Sequence, residues 1–433
     1  MIIEFTVSNF RSIKDEQTFS LYAATPGNHL VSNVASSPAP GNITPLKSAG
    51  VYGANASGKS NLLLAFRALR YLLDRSGSLK DGEAIDCYEP HILSQATRNA
   101  PVNMEIEFVM PGGNRFQYHV SFTQNRIIEE GLGIYLTPWK SMIFEREAND
   151  TWETIKFGAN YKGGARRMPF FPNNAYLSKA GNSADAPEMI RGAYNFLLNG
   201  ITHLNTNEEV VFGNEIYEQK GVMGKVSRLL ALIDTGISSV KMEKKEVKED
   251  DFSFPQDFPV KYKKQVLLEA SRKFLFCHPT DSNETALFEQ NRESAGTYKM
   301  FSLAPLLIDT FENGGVLIVD ELDNSMHPHM AELIIKLFND PEVNPGGAQL
   351  IFSTHNANLM SPDLLRRDQI WFAEKTDGAS RFFSLADFDK KKVTPTSPFA
   401  KWYAEGRFGA IPSIDYRGVV KLLKKDRQNA QED

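Results

Sequence analysis

The sequence predicts an α/β fold: a mixed sheet carrying a phosphate-binding loop, an antiparallel β meander beside it, and an inserted, mainly helical lobe. Three observations carry this. Gly53-Ala54-Asn55-Ala56-Ser57-Gly58-Lys59-Ser60 has the spacing GxxxxGK[ST], between a partly apolar run (Leu46–Tyr52) and a helically spaced one (Ser60–Leu73). Val316–Val319 and Ile351–Phe352 are apolar runs that end in chemically useful residues, Asp320-Glu321 and Ser353-Thr354-His355. Between Val102 and Glu147, strand-like segments are separated by turns such as Pro111-Gly112-Gly113-Asn114, which a plain doubly wound sheet does not contain.

Composition narrows the class. At 433 residues the chain exceeds one simple core, so two or three lobes are expected. Hydrophobic residues at 42% and charged residues at 23% are ordinary for a globular protein. A net charge of −5 argues against non-specific coating of nucleic acid but leaves room for a local basic groove. Cys87 and Cys277 are the only cysteines, which fits a reducing compartment. The N-terminal MIIEFTVSNF is too short and acidic for a signal peptide, and no apolar run has membrane-spanning length, so a cytoplasmic location and no membrane partner are expected.

Four segments follow in order. Residues 1–161 should form the first half of the head, with short strands at Ile2–Val7, Phe10–Ile13 and Thr18–Tyr22, a loop over Ala23–Pro45, the phosphate loop, an irregular Asp74–Ala100, and a meander of Val102–Met110, Phe116–Phe122, Arg126–Tyr135 and Ser141–Glu147. Residues 162–290 read as the inserted lobe, with helices over Ala186–Leu198, Met223–Asp234 and Tyr262–Lys273 and a mixed-charge Lys241–Asp250 suited to a solvated hairpin or helix face. Residues 291–390 resume the head: helix Thr297–Phe311, strand Gly315–Val319, helix Pro328–Phe338, and strands Gln349–Ser353, Gln369–Phe372 and Arg381–Phe383. Residues 391–433 are a C-terminal extension with a short helix at Phe399–Glu405 and a charged end.

The chemistry follows from residue type. Gly53 and Gly58 allow the backbone to curl so that the N–H groups around Asn55, Ala56 and Ser57 point at phosphate oxygens. The helix beyond adds its positive end, Lys59 neutralises phosphate charge, and the Ser60 hydroxyl is a Mg²⁺ ligand. Asp320, where a buried strand emerges, is placed to hold Mg²⁺, and Glu321 to orient and polarise an attacking water. His355, on the next strand, is placed to contact the γ-phosphate or that water. Ser294 and Gly296, just before a helix, form either a second anion site or an ordinary N-cap.

Together these residues resemble ABC-type ATPase heads: Walker A (Gly53–Ser60), a degenerate signature (Ser294-Ala295-Gly296-Thr297), Walker B (Val316–Glu321), D-loop (Leu322-Asp323) and switch histidine (His355). Asn61, and Arg11 within Ser-Asn-Phe-Arg-Ser-Ile, are similar to the SMC/RecF/OLD branch, where the N-terminal arginine approaches the phosphates. Glu321-Leu322-Asp323-Asn324-Ser325-Met326-His327-Pro328 and Trp402–Pro412 resemble the AbiLi/RloA type of bacterial anti-phage ATPase. The resemblance implies ATP and Mg²⁺ as cofactors and a homodimer or higher oligomer that sandwiches nucleotide, Ser294 and Gly296 acting in trans. It also implies a separately encoded effector (Toprim, HNH or RloB-like), with DNA or a phage component as further candidate partners. The signature lacks the full Leu-Ser-Gly-Gly-Gln pattern, and Gln117 is the one candidate for the Q-loop glutamine. OLD-type relatives add a Toprim nuclease, whose acid-bearing strand ends are not seen after His355, so no nuclease is expected here.

Weaker signals have plainer readings. His327-Pro328-His329 reads as a helix start rather than a metal site, Cys277-His278 as a structural pair, and Lys390–Lys392 and Lys421–Arg427 as solvated surface. Two other functions compete with an ATP-hydrolysing switch: a DNA-engaging clamp of the SMC/RecF kind, which predicts DNA-stimulated turnover and salt-dependent DNA binding, and a scaffold that binds ATP without turnover.

Overall fold

The computed structural model describes residues 1–24, 29–37, 39–204, 215–255, 260–282, 284–412 and 414–429. The end of the charged C-terminal stretch, residues 430–433, lies outside them.

A six-stranded sheet positions the site. Its order is β16-β15-β3-β14-β13-β9, with β3 at Ser48–Gly53, β9 at Ile201–Leu204, β13 at Val316–Val319, β14 at Gln349–Thr354, β15 at Ile370–Thr376 and β16 at Ala379–Ser384. All neighbours pair in parallel except β15 and β16. The central strands are covered on both faces, and Val316–Val319 of β13 and Leu350–Phe352 of β14 therefore read as continuous apolar runs. Val316 and Ile318 enter one core with Val51 and Ile351, whereas Leu317 and Val319 enter the other with Tyr52 and Phe352.

The first core lies between this sheet and a seven-stranded one of order β2-β1-β4-β5-β6-β7-β8. It contains β1 (Ile2–Ser8), β2 (Gln17–Ser20), the expected meander of β4 (Val102–Val109), β5 (Arg115–Phe122), β6 (Ile127–Tyr135) and β7 (Lys140–Glu147), and a short β8 (Lys156–Phe157). Helix α1 (Lys59–Arg75) fills the space with Leu62, Leu63, Phe66, Leu69 and Leu73, and Phe66 stacks on Phe5 with ring centroids 3.9 Å apart. Phe10–Ile13, expected as a strand, closes instead on itself through one antiparallel bridge.

The segment 162–290 is divided by its packing. Helices α2 (Tyr176–Gly181) and α3 (Glu188–Asn199) contribute Tyr176, Leu177, Ala193 and Leu197 to the first core, and β9 joins the six-stranded sheet. Beyond the short α4 (Glu215–Glu218), helices α5 (Val222–Leu232) and α6 (Val260–Ala270) accompany a three-stranded antiparallel sheet, β10 (Ser239–Lys244), β11 (Arg272–Pro279) and β12 (Thr285–Glu289). The mixed-charge stretch starts as strand β10, and the third expected helix stops at Ala270 because Arg272 and Lys273 pair with Lys244 and Glu243.

The second core covers the opposite face of the six-stranded sheet. It is built from α5, α7 (Ala295–Asn313), α8 (Pro328–Asn339) and α9 (Phe399–Ala404), with the following segment adding Phe408 and Ala410. Helix α10 (Tyr416–Asn429) ends the described chain. No helix among the described residues is long and apolar enough to cross a membrane.

Candidate active site

Because β3, β14 and β13 are parallel neighbours, their C-terminal ends share one edge of the sheet. Thr354 is in register with Tyr52 and Val319 with Phe352, so the loop after β3, the acids after β13 and the histidine after β14 emerge side by side. A cavity of about 390 Å³ at this edge is lined by Asn55, Ala56, Ser57, Gly58, Lys59, Ser60, Asn61, Glu321, His355 and Lys375. Residues scattered over three hundred positions of sequence are thereby gathered.

The loop's curl is visible in its dihedrals. Gly58 has φ 105° and caps α1, Ala56 has φ 60°, and a Cβ on Gly53 would overlap the Ala373 carbonyl of β15. Lys59 is buried and its ammonium donates to the Gly53 and Ala54 carbonyls at 2.9 and 3.0 Å. Burial pushes it down to about 8 against the opposing pull of Asp320, Glu321 and Asp323. Ser57, a lining residue, has a buried hydroxyl with no partner among the described residues.

Asp320 is 6% exposed and accepts from Ser353 Oγ; the same oxygen accepts from the Glu321 N–H at 2.8 Å. Ser353 thus ties both acids to β14. The Glu321 carboxylate is met by Asn324 Nδ2 at 3.3 Å and His355 Nε2 at 3.8 Å. Its carbonyl accepts from Lys299 Nζ on α7 at 3.0 Å. Burial holds the Lys299 ammonium down at about 8, again opposed by Asp323, Glu321 and Asp320. Thr354 Oγ1 donates to Asp323, two residues beyond Glu321.

Other sequence-predicted residues lie elsewhere. Arg11, in the left-handed region at φ 50°, is bound through its guanidinium to both carboxylate oxygens of Glu89. It lines a neighbouring cavity of about 380 Å³, with Phe10, Leu64, Tyr71 and Cys87, and not the phosphate-loop cavity. Ser294 and Gly296 line a third, of about 500 Å³, with Thr297, Met326 and His327. Ser294 Oγ accepts from the Thr297 N–H at 3.1 Å as an N-cap of α7, and a Cβ on Gly296 would come within 2.6 Å of the Ser325 carbonyl. Gln117 donates to Glu105 at 2.6 Å and accepts from Lys140 at 2.5 Å across the meander, away from the cavity lining. His327 caps α8, and buried Cys277 lies in β11 beside His278, which contacts Glu293 at 2.8 Å.

Sequence reasoning did not find the residues beneath the loop. Asn61 Nδ2 donates to Ser12 Oγ at 2.6 Å, and Ser380 Oγ donates to the Ser57 carbonyl at 2.7 Å while sharing a 2.7 Å hydrogen bond with Ser12 Oγ, whose hydroxyl supplies the proton. The Ala54 N–H donates to the Ala410 carbonyl of the C-terminal segment at 3.0 Å. Lys299, Lys375 and Ser380 carry no motif, and Ser12 was in view only as part of Ser-Asn-Phe-Arg-Ser-Ile. Ser353 was in view only as part of Ser-Thr-His.

No curated protein matches the chain in sequence. Among solved structures, it is similar to the SMC head domain from Thermotoga maritima (11% identity, 88% of this chain and 98% of that one, TM-score 0.39). It is also similar to an SmcHead bound to the C-winged helix domain of ScpA (14%, 90% and 99%, 0.41) and to the recombination mediator RecF in a structure with ATPrS (13%, 88% and 98%, 0.38). Residues 48–361, well over half of the sequence, match the family described as "AAA domain, putative AbiEii toxin, Type IV TA system", and the chain belongs to that family.

Proposed function

We propose that this chain is an ATP-hydrolysing switch of the ABC type, of the AbiLi/RloA kind, which closes as a dimer around ATP and controls a separately encoded effector in bacterial anti-phage defence. The observation that carries the ATPase part is the single cavity lined at once by Asn55–Asn61, Glu321 and His355.

In this reading the loop N–H groups and Lys59 bind the β- and γ-phosphates. The cavity further along α1, where Leu64, Ala68 and Tyr71 lie beside Arg11, Arg67, Asp86 and Glu89, offers apolar faces on which a nucleobase would pack. A hydroxyl and a carboxylate are the hard oxygen donors Mg²⁺ prefers, so Ser60 and Asp320 would hold it, and it would neutralise charge on the phosphates. Glu321 accepts a proton from the attacking water and orients it, while His355 stands 3.8 Å from that carboxylate and meets the γ-phosphate. The cavity at Ser294 and Gly296 is separate from the phosphate loop, which supports its use by a second copy's nucleotide.

The test is Glu321→Gln in the full chain. Wild type should turn over ATP, and the variant should bind ATP with turnover lowered by about 10²–10⁴-fold and accumulate as a dimer on sizing columns. Native turnover in the variant would sink the role given to Glu321. Turnover stimulated by duplex DNA would favour the clamp reading instead.

A further inference from the structure

Glu321 is held in an unusual conformation. Its φ is 50°, in the left-handed region that side-chain-bearing residues rarely enter, and the residue is neither Gly nor Asn. Main-chain conformation sets where the Cα–Cβ bond points, and hence which cavity the carboxylate can reach. Three donor–acceptor contacts fix it: its N–H donates to Ser353 Oγ at 2.8 Å, and its carbonyl accepts from the Asn324 N–H and from Lys299 Nζ, each at 3.0 Å. The first two come from the adjacent strand and from the turn itself. The third crosses from another element, the second turn of α7.

Lys299 stands among Asp320, Glu321 and Asp323, yet its hydrogen bond goes to a main-chain carbonyl. A lysine serving only as countercharge has no need of that acceptor. Glu321's carbonyl is also the one on which the following turn closes, through Asn324, so the ammonium braces the turn at its first residue. We propose that Lys299 is a positioning residue for the reaction assigned to Glu321: by holding the Glu321 carbonyl it maintains the left-handed turn that directs the carboxylate into the phosphate-loop cavity. The inference rests on the reading of Glu321 as the water-activating group.

The test uses the full chain with Lys299→Met, which keeps the length of the side chain without the donor, and Lys299→Arg, which keeps a donor. Three quantities are measured: ATP turnover, affinity for a fluorescent ATP analogue, and amide hydrogen exchange of peptides covering Asp320–Met326. Lys299→Met should lower turnover by about a hundredfold, the size of effect that small misplacement of a reacting group produces, while affinity is retained and exchange in Asp320–Met326 becomes faster. Lys299→Arg should recover most of both losses. Weakened affinity with unchanged exchange would mean a countercharge role and overturn the proposal. If wild type does not turn over ATP, or Glu321→Gln turns it over normally, the reading of Glu321 fails. The exchange comparison still decides the brace: unchanged exchange in Lys299→Met refutes it, and faster exchange upholds it.

Discussion

Alanine at position 58 puts the packing under the phosphate loop to a quantitative test. Gly58 has φ 105°, where an L-residue is strained by about 1–2 kcal/mol. A Cβ there would overlap Ser380 Oγ and lie 2.8 Å from both Ser380 Cβ and Ser12 Oγ. Those hydroxyls are not free to turn away, because Ser380 Oγ bonds Ser12 Oγ and the Ser57 carbonyl, and Ser12 Oγ also accepts from Asn61. Displacing Ser380 breaks two buried hydrogen bonds at about 1 kcal/mol each. Gly58→Ala should therefore destabilise the chain by about 3–4 kcal/mol, read as a lower urea midpoint by intrinsic fluorescence, and abolish binding of a fluorescent ATP analogue. In a Ser12→Ala/Ser380→Gly background all three atoms that the Cβ would meet below 3 Å are gone, and the same substitution should cost only the backbone strain, about 1–2 kcal/mol. If Gly58→Ala costs as much in that background as in the wild type, or costs nothing in either, the reasoning fails.

Two further outcomes are expected away from the loop. Arg146→Met leaves the Glu130 carboxylate fully buried, 3.7 Å from where its guanidinium partner stood but still receiving Tyr118 OH and the Tyr176 and Leu177 N–H groups. The loss should be near the lower end of about 3–5 kcal/mol, with ATP-analogue affinity of the folded protein unchanged; a stabilised variant would refute the charge argument. The Cys87 thiol is pushed up to about 12 by burial and Cys277 is 1% exposed, so a disulfide reagent at pH 8 should label neither thiol rapidly in the native chain and both in denaturant. Because the thiolate form of Cys87 is favoured only as pH rises towards 12, its labelling should stay slow at pH 9; a rapid native equivalent would contradict the burial.

The legible parts of this chain are those whose signal is local. The phosphate loop states its turn in its glycines, β13 and β14 are apolar runs with a polar exit, and the meander announces itself by alternation and by turns such as Pro111–Asn114. β9 was not visible because four residues, Ile-Thr-His-Leu, hold no period, and their place beside β13 is decided by the sheet and not by the segment. The sheet β10–β12 was hidden by charge: Lys241, Glu243 and Lys244 suit an edge strand as well as a solvated helix face. Arg11 was expected at the phosphates, but Glu89, nearly eighty positions away, takes up its guanidinium. Lys299 was invisible for the same kind of reason, since its partner is a main-chain oxygen that no side-chain pattern encodes.

The same distinction explains why the motif needs the rest of the molecule. An eight-residue Gly/Ser-rich stretch has no reason of its own to keep Ala56 at φ 60° or Gly58 at φ 105°. Here the curl is fixed from three remote places: Ser12 near the N-terminus through Asn61, Ser380 on β16 through the Ser57 carbonyl, and Ala410 through the Ala54 N–H. Ala410 is itself held, its carbonyl accepting from Tyr403 OH at 3.0 Å while the Tyr403 ring stacks on Phe372 of β15. The loop's shape is thus fixed by contacts within the chain. A phosphate group bound there would have less chain entropy to overcome, leaving more of its interaction energy for affinity.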